Sequence, residues 1–292
     1  MTQAQIPKVS MGSIIHYPDL GKGHPLARSV DVWLPPNYDS SQRYPVLYMH
    51  DGQMLFDSSI TWNHQSWQVA ETVSDLIQQK MIRPVIVVGV WNSGAGRHAD
   101  YFPQQPFMDL TEEDRLKISQ ARRTDGSEVF QRIAIRSDDY LDYLVQVVKD
   151  FVDEHYPTWR DKKNCFIAGS SMGGLISLYA LGKYPETFGG AACLSTHWPG
   201  IFQVDENPFP ESYFRYLKTN LPEAKSHRIY FDLGTATLDS MYAPYQLQVD
   251  GIMRSKGYTS SDWQTQIFEG DDHSERSWSG RLKVPLAFLL HQ

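Results

Sequence analysis

The stretch Asn164 to Gly174, NCFIAGSSMGG, limits what this chain can fold into more than any other part of it. An apolar run suited to a buried strand, Cys165 to Ala168, stops at small residues, and a helix-like run, MGGLISLYALGKY, starts at once. The centre, Gly169-Ser170-Ser171-Met172-Gly173, reads G-x-S-x-G. A strand that turns straight into a helix brings backbone close on both sides of the central serine, so the positions two before and two after it must be nearly free of side chain. Ser171 has glycines at that spacing, whereas Ser170 has Ala168 and Met172 and is excluded. Five such residues recur by chance. The strand before and the helix after, with Leu175, Leu178 and Leu181 on one face and Pro185 just beyond its end, make Ser171 a candidate nucleophile at an elbow.

The flanking sequence supplies the layers such an elbow needs. Ser10–Tyr17 and Arg28–Leu34 read as two strands joined by the Gly/Pro-containing turn Leu20–Pro25, an antiparallel pair at a sheet edge. Tyr44–His50 and Pro84–Val90 are apolar without clean alternation, the pattern of strands covered by helices on both faces, and Trp67–Lys80 between them carries a helical apolar stripe. The same alternation continues through Gly190–Ser195, Arg228–Leu233 and Trp263–Phe268. These elements predict an α/β fold with a mostly parallel central sheet and helices on both faces, in one domain spanning residues 1–292. Gln104–Arg136 breaks the rhythm. It is polar, lacks the expected strand and reads as an insertion, partly helical through Thr111–Arg122, either a lid over the site or a loose surface loop. Ser137–Tyr156 resumes as a helix with Ser137 as N-cap, and a terminal helix carries Trp278, Leu282, Leu286 and Leu289.

Loops at the C-terminal ends of strands are where open α/β sheets bind ligands. After Tyr44–His50 comes Asp51-Gly52-Gln53, where Gly52 permits close approach and leaves the Gln53 amide, with that of Met172, as candidate oxyanion donors. Trp91, Asn92 and Arg97 in the loop after Val90, and Trp198 beyond Ser195, are candidate substrate-pocket residues. Trp91 reads equally as a cap on the core, and Arg97 as a solvated or structural side chain. In serine hydrolases of this order the acid falls between nucleophile and histidine. Asp239, on the loop after Arg228–Leu233, is free to reach a histidine, and Asp232 inside the strand competes with it. His273, in Glu269-Gly-Asp-Asp-His273 after the last strand, is the candidate base, while His197 reads as a pocket wall.

Composition excludes other classes. The net charge of -7 and the scattered lysines and arginines argue against a nucleic-acid surface. No H-E-x-x-H or paired His/Cys spacing appears, so neither a metal nor a cofactor is expected. Cys165 and Cys193 sit in apolar runs as buried thiols. No apolar stretch demands a membrane, and MTQAQIPKVSMG lacks the basic and apolar regions of a signal peptide, so a cytoplasmic location is expected, with a processed secreted form as the alternative. Oligomeric state is not encoded in any of these features.

The runs YPVLYMHDGQMLFD, VIVVGVWNSGAGR, GSSMGGLISLYALGKYPETFGGAACLS and HSERSWSGRLKVPLAFLL together resemble the esterase family of α/β hydrolases that includes esterase D, feruloyl esterases and siderophore esterases. The likeness extends over Arg28 to Leu290, interrupted by the insertion. It implies an α/β-hydrolase fold, hydrolysis of a small-molecule carboxylic ester, Ser171 as nucleophile and His273 as base. One departure stands out. Relatives place an acid within three positions of the glycine in the loop that here begins Gly234-Thr235-Ala236-Thr237, so the third catalytic member is Asp239, Asp232 or absent. An acyltransferase with the same nucleophile, and a catalytically silent scaffold of the same fold, are the alternative readings.

Overall fold

The computed structural model describes residues 6–291; the first five residues of the N-terminal run MTQAQIPKVSMG lie outside them. Eight strands form one sheet: β1 (Ser13–Leu20), β2 (Arg28–Leu34), β3 (Val46–His50), β4 (Ile86–Val90), β5 (Cys165–Ser170), β6 (Gly190–Leu194), β7 (Arg228–Gly234) and β8 (Trp263–Phe268), in the order β1-β2-β4-β3-β5-β6-β7-β8. The β1–β2 and β2–β4 pairs are antiparallel, and every pair from β4 through β8 is parallel. Each short apolar strand divides its side chains between two cores, as the two-residue period of a strand requires. Val46, Tyr48, Cys165, Ile167, Ala191 and Cys193 enter one core, and Leu47, Met49, Phe166, Ala168, Ala192 and Leu194 the other. The helices Met172–Lys183 and Phe209–Asn220 close the first, while Val69–Gln78 and Lys283–Leu290 close the second. Both cysteines are buried and free.

Several elements differ from the sequence reading. Strand β1 begins at Ser13 and runs to Leu20, three residues later at each end than expected. Ser137 does not cap a helix. Its hydroxyl accepts from the Gln104 amide at 2.9 Å, and the helix beginning there passes through a π-helical stretch, Leu144–Lys149, before Asp150–His155. The terminal helix is two, Glu275–Arg281 and Lys283–Leu290. Pro285 accounts for the break, because it lacks the N–H that would bond back to Arg281 and its ring crowds that carbonyl.

The polar segment 104–136 is anchored in the protein. It contains the helices Gln104–Met108 and Glu112–Ser119, the second opened by Thr111, whose hydroxyl accepts from the Asp114 amide. Phe107, Leu110, Ile118, Ala121, Val129 and Phe130 from this segment are buried in the first core, and the Ser212 hydroxyl donates to the Pro106 carbonyl at 2.8 Å. Its charge-rich sequence describes the outer face, and these spaced apolar residues describe the inner one. No helix among the described residues is long and apolar enough to cross a membrane.

Candidate active site

Ser171 follows the last residue of β5 with φ 57 and ψ -121, a backbone strain that holds its side chain clear of both strand and helix. The turn is pinned by backbone bonds: the Ser171 amide donates to Leu194 O at 2.9 Å, and its carbonyl accepts from the Leu175 and His197 amides at 3.1 and 3.2 Å. The steric demand on the two glycines is unequal. A Cβ on Gly169 would lie 2.8 Å from the Gly173 carbonyl carbon, whereas one on Gly173 would meet nothing closer than 3.4 Å. The glycine before the serine is therefore the position where a side chain is impossible.

Met172 is the first residue of its helix, so its amide has no intrahelical acceptor. Gln53 lies in the 3-10 turn Gly52–Met54 after β3, and neither amide donates to another group among the described residues. Gly52 permits that turn: a Cβ there would sit 2.5 Å from the Gly89 backbone and 2.8 Å from the Trp91 ring. Asp51, at φ 56, anchors it. Its carboxylate accepts from Arg97 Nε and Nη2 at 2.6 and 2.8 Å and from Asn92 Nδ2 at 2.7 Å, and the Asn92 amide donates to Gln53 Oε1 at 3.1 Å. Burial alone would raise the Asp51 carboxyl, but the Arg97 guanidinium and the Asn92 amide hold it below the ordinary range.

His273 lies between β8 and the helix Glu275–Arg281, and its Nδ1 is 2.5 Å from Asp239 Oδ1. Asp239 comes from the 3-10 turn Thr237–Met241 after β7, fully buried. Its other oxygen accepts from Ser195 Oγ at 2.5 Å and the Gly234 amide at 2.6 Å. Burial pushes this carboxyl up as well, yet the bonds from His273, Ser195 and Gly234 outweigh it and keep the pKa below the ordinary 3.8. The competing Asp232, one position beyond the β6–β7 registered pair Cys193–Phe231, faces Arg281 Nη2 at 2.9 Å instead, and burial raises it to about 6.

The acid and histidine loops are laced together at the positions that mark the departure from the family pattern. Thr237 Oγ1 accepts from the His273 amide at 3.0 Å, Thr235 Oγ1 from the Gly270 amide at 2.9 Å, and the Thr235 and Ala236 amides both donate to Asp271 O. Hydroxyls and amides thus line this loop at Thr235, Ala236 and Thr237, and the carboxylate that meets His273 comes from Asp239, two residues beyond Thr237. Trp278 packs edge-on against the His273 ring and Tyr242 flanks it at a centroid distance of 5.9 Å. The Tyr242 hydroxyl meets His197 Nδ1 at 2.7 Å, and burial drives His197 far below its ordinary pKa, so it is a neutral wall.

Of the expected pocket residues, Asn92 and Arg97 are spent largely on Asp51, and Trp91, half-buried, donates its indole N–H to Asp31 Oδ2 at 2.5 Å. Trp198 is corrected outright: it is 1% exposed and packs among Tyr213, Phe214 and Phe231, in the core where no substrate reaches it. Sequence reasoning missed Ser195 and Arg281. A signal for Arg281 was present: it lies three residues after Trp278 and directly before Leu282 on the terminal apolar stripe, and an arginine buried there needs carboxylates to match. Ser195 carried none beyond its place at a strand end.

Comparison with known proteins agrees with this architecture. The model of the family described as "Putative esterase" matches residues 25–288. A protein of Bacillus subtilis (strain 168) named Uncharacterized protein YbbA is 23% identical over 270 residues, covering 90% of this chain and 92% of its own length. Iron(III) salmochelin esterase of Escherichia coli O6:H1 is 23% identical over 261 residues, covering 88% of this chain and 53% of its own. Among solved structures, the BES protein from Bacillus cereus superposes with a TM-score of 0.69 at 15% identity, over 99% of this chain and 100% of that one. A ferulic acid esterase superposes with a TM-score of 0.65 at 16% identity, over 96% and 98%. At those identities the superpositions establish a shared fold, and the family match, running through nearly all of the sequence, establishes that this chain belongs to the Putative esterase family: it is a carboxylic ester hydrolase with the α/β-hydrolase fold.

Proposed function

We propose that the protein cleaves its ester through an acyl-enzyme on Ser171, with His273 as general base, Asp239 as its orienting acid and the Met172 and Gln53 amides as the oxyanion hole. The observation that carries this reading is the buried Asp239 carboxylate, ionised by three donors and 2.5 Å from His273 Nδ1, at the same end of the sheet as the strained Ser171 turn. With Nδ1–H bonded to Asp239, the free Nε2 lone pair of His273 serves Ser171. In the first half-reaction His273 Nε2 takes the Ser171 proton as Oγ attacks the ester carbonyl. The oxyanion forms between the two amides, His273 returns the proton to the departing alkoxide, and the alcohol leaves. Water then enters, loses its proton to His273 and attacks the acyl-enzyme; the carbonyl re-forms, the bond to Ser171 Oγ breaks and Oγ regains the proton. Asp239 stabilises the imidazolium in both halves without taking a proton itself.

For the substrate we propose an ester of an aromatic or otherwise bulky acid. The names of a ferulic acid esterase that shares the fold and of a salmochelin esterase similar in sequence support this class, as does the half-buried Trp91 beside the Gly52 turn. The test is hydrolysis of an aryl acetate, a feruloyl ester, S-formylglutathione and a catecholate trilactone by the wild type beside Ser171→Ala. Preference for one aromatic ester with a dead variant is the expected result. Equal turnover in the variant would remove Ser171 from the mechanism, and an equal rate on all esters would remove the substrate class.

A further inference from the structure

Behind the Asp239–His273 pair lies a closed set of side chains that take no part in any step of the ester chemistry above. Ser195 follows β6, fully buried, with φ 42, a left-handed conformation that a non-glycine residue adopts only when its surroundings enforce it. Its amide is held by Asp232, at 2.9 Å from the carbonyl and 3.2 Å from Oδ1. Its hydroxyl lies 2.5 Å from Asp239 Oδ2, 2.9 Å from Trp278 Nε1 and 2.7 Å from Arg281 Nη2. An indole N–H and a guanidinium can only donate. The hydroxyl therefore accepts from both, and its one proton has a single acceptor left, Asp239 Oδ2. Arg281 is fixed in its turn, with Nη2 2.9 Å from Asp232 Oδ1 and Nη1 2.9 Å from Asp271 Oδ2, and its Nη2 lies 3.8 Å from Asp239 Oδ2.

We propose that Ser195 is a positioning residue for ester hydrolysis: with Trp278 and Arg281 setting its proton, it holds Asp239 Oδ2 so that Oδ1 faces His273. This rests on the reading of Ser171, His273 and Asp239 given above. The hydroxyl has a second effect, since it stands between the Arg281 guanidinium and Asp239. Without it, Arg281 Nη2 loses an acceptor in a buried place, and Asp239 Oδ2, 3.8 Å away, loses its hydroxyl donor. The guanidinium then competes with His273 for the same carboxylate. A serine that only fills space would contribute to stability and have no coupling to Asp239.

The experiment is a double-mutant cycle with Asp239→Ala, Ser195→Ala and the pair, each checked for folding by thermal unfolding. It is read as kcat and KM on para-nitrophenyl acetate and as the rate of Ser171 labelling by a fluorophosphonate. Ser195→Ala is expected to lower kcat and the labelling rate about 10- to 100-fold. KM should stay within about twofold, and the substitution should add nothing in the Asp239→Ala background. An unchanged kcat, or the same loss in both backgrounds, overturns the proposal and leaves the triad intact. Wild-type kcat in Asp239→Ala removes the acid from the reading, and the proposal falls with it. Should Ser195→Ala fail to fold, Ser195→Gly removes the same hydroxyl, suits φ 42 and carries the same two outcomes.

Discussion

Two histidine–aspartate pairs with fully buried carboxylates can be set side by side in this molecule. His16 on β1 faces Asp31 on β2, its registered neighbour, with Nδ1 2.6 Å from Oδ1; His273 and Asp239 meet across the loops after β8 and β7 at 2.5 Å. By that distance alone they are equivalent. They differ in what surrounds them. Asp31 takes one further bond, from Trp91 Nε1, and burial raises its pKa, whereas Asp239 takes two, from Ser195 and a backbone amide, and its pKa is lowered. His16 Nε2 is sealed without a partner and its side chain is 4% exposed, against 15% for His273. A His–Asp pair thus becomes a candidate for chemistry when the carboxylate is held ionised by enough donors and the outer imidazole nitrogen is within reach of a substrate.

The sharpest way to break this comparison is to remove each histidine. His273→Ala is expected to lower kcat on the order of a million-fold, as the loss of a base that acts as one unit with its nucleophile does. His16→Ala is expected to leave kcat within about threefold, and to cost ~1–3 kcal/mol of stability because buried Asp31 loses a donor. Steady-state kinetics beside urea unfolding separates the two. If His16→Ala matched His273→Ala in its effect on kcat, the antiparallel edge would be part of the machinery and the distinction drawn here would be lost.

A smaller effect is expected where the two regions touch. Gly52 packs against Gly89 and Trp91, and Gly89 is the registered partner of Asp31, so the candidate oxyanion turn rests on β4, the strand beside the one that bears Asp31. Gly52→Ala inserts a Cβ 2.5 Å from the Gly89 backbone, and the turn must shift. A displaced Gln53 amide should lower kcat about 100-fold. Overpacking at this depth should cost ~1–3 kcal/mol. Unchanged kinetics in a correctly folded variant would show that the Gln53 amide is not a donor to the oxyanion.

How much of this was legible in the sequence follows the range of the interactions. The strands of the parallel half and the elbow at Ser171 are written in local pattern, because apolar runs and a glycine two residues before a serine are dictated by neighbours along the chain. The place of His273, in the loop between the last strand and the terminal helices, was legible from order. Asp239 was preferred to Asp232 only for lying on the loop and not in the strand; both are buried near the end of β7, and Arg281, 49 positions from Asp232, draws that residue aside. Trp198 read as a substrate-pocket residue from its loop, but a loop position does not fix side-chain direction, and the aromatic cluster of Tyr213, Phe214 and Phe231 took it inward. The inner face of segment 104–136 was not legible for a related reason: its mean polarity concealed Phe107, Ile118 and Phe130, which are too widely spaced to read as a face.

The smallest expected effect is also the one that tests the two aspartates by sign. A carboxyl whose folded pKa lies below the ordinary 3.8, such as Asp239, contributes stability that is present above that value and is lost as pH falls through the folded pKa. One whose folded pKa is raised, such as Asp31, does the reverse: the unfolded chain releases its proton first, so this contribution declines as pH climbs from 3.8 through the folded value. Asp239→Asn should therefore destabilise the protein more at pH 7 than at about pH 4, and Asp31→Asn more at about pH 4 than at pH 7. Thermal unfolding of both variants and the wild type at the two pH values gives four differences in Tm. Crossed signs would establish that the donor set around each carboxylate, and not its distance from a histidine, decides its charge. Parallel signs would mean that the third donor, the Gly234 amide on Asp239 Oδ2, does not separate the pairs, and the basis for ranking one as catalytic would shift to exposure of the imidazole alone.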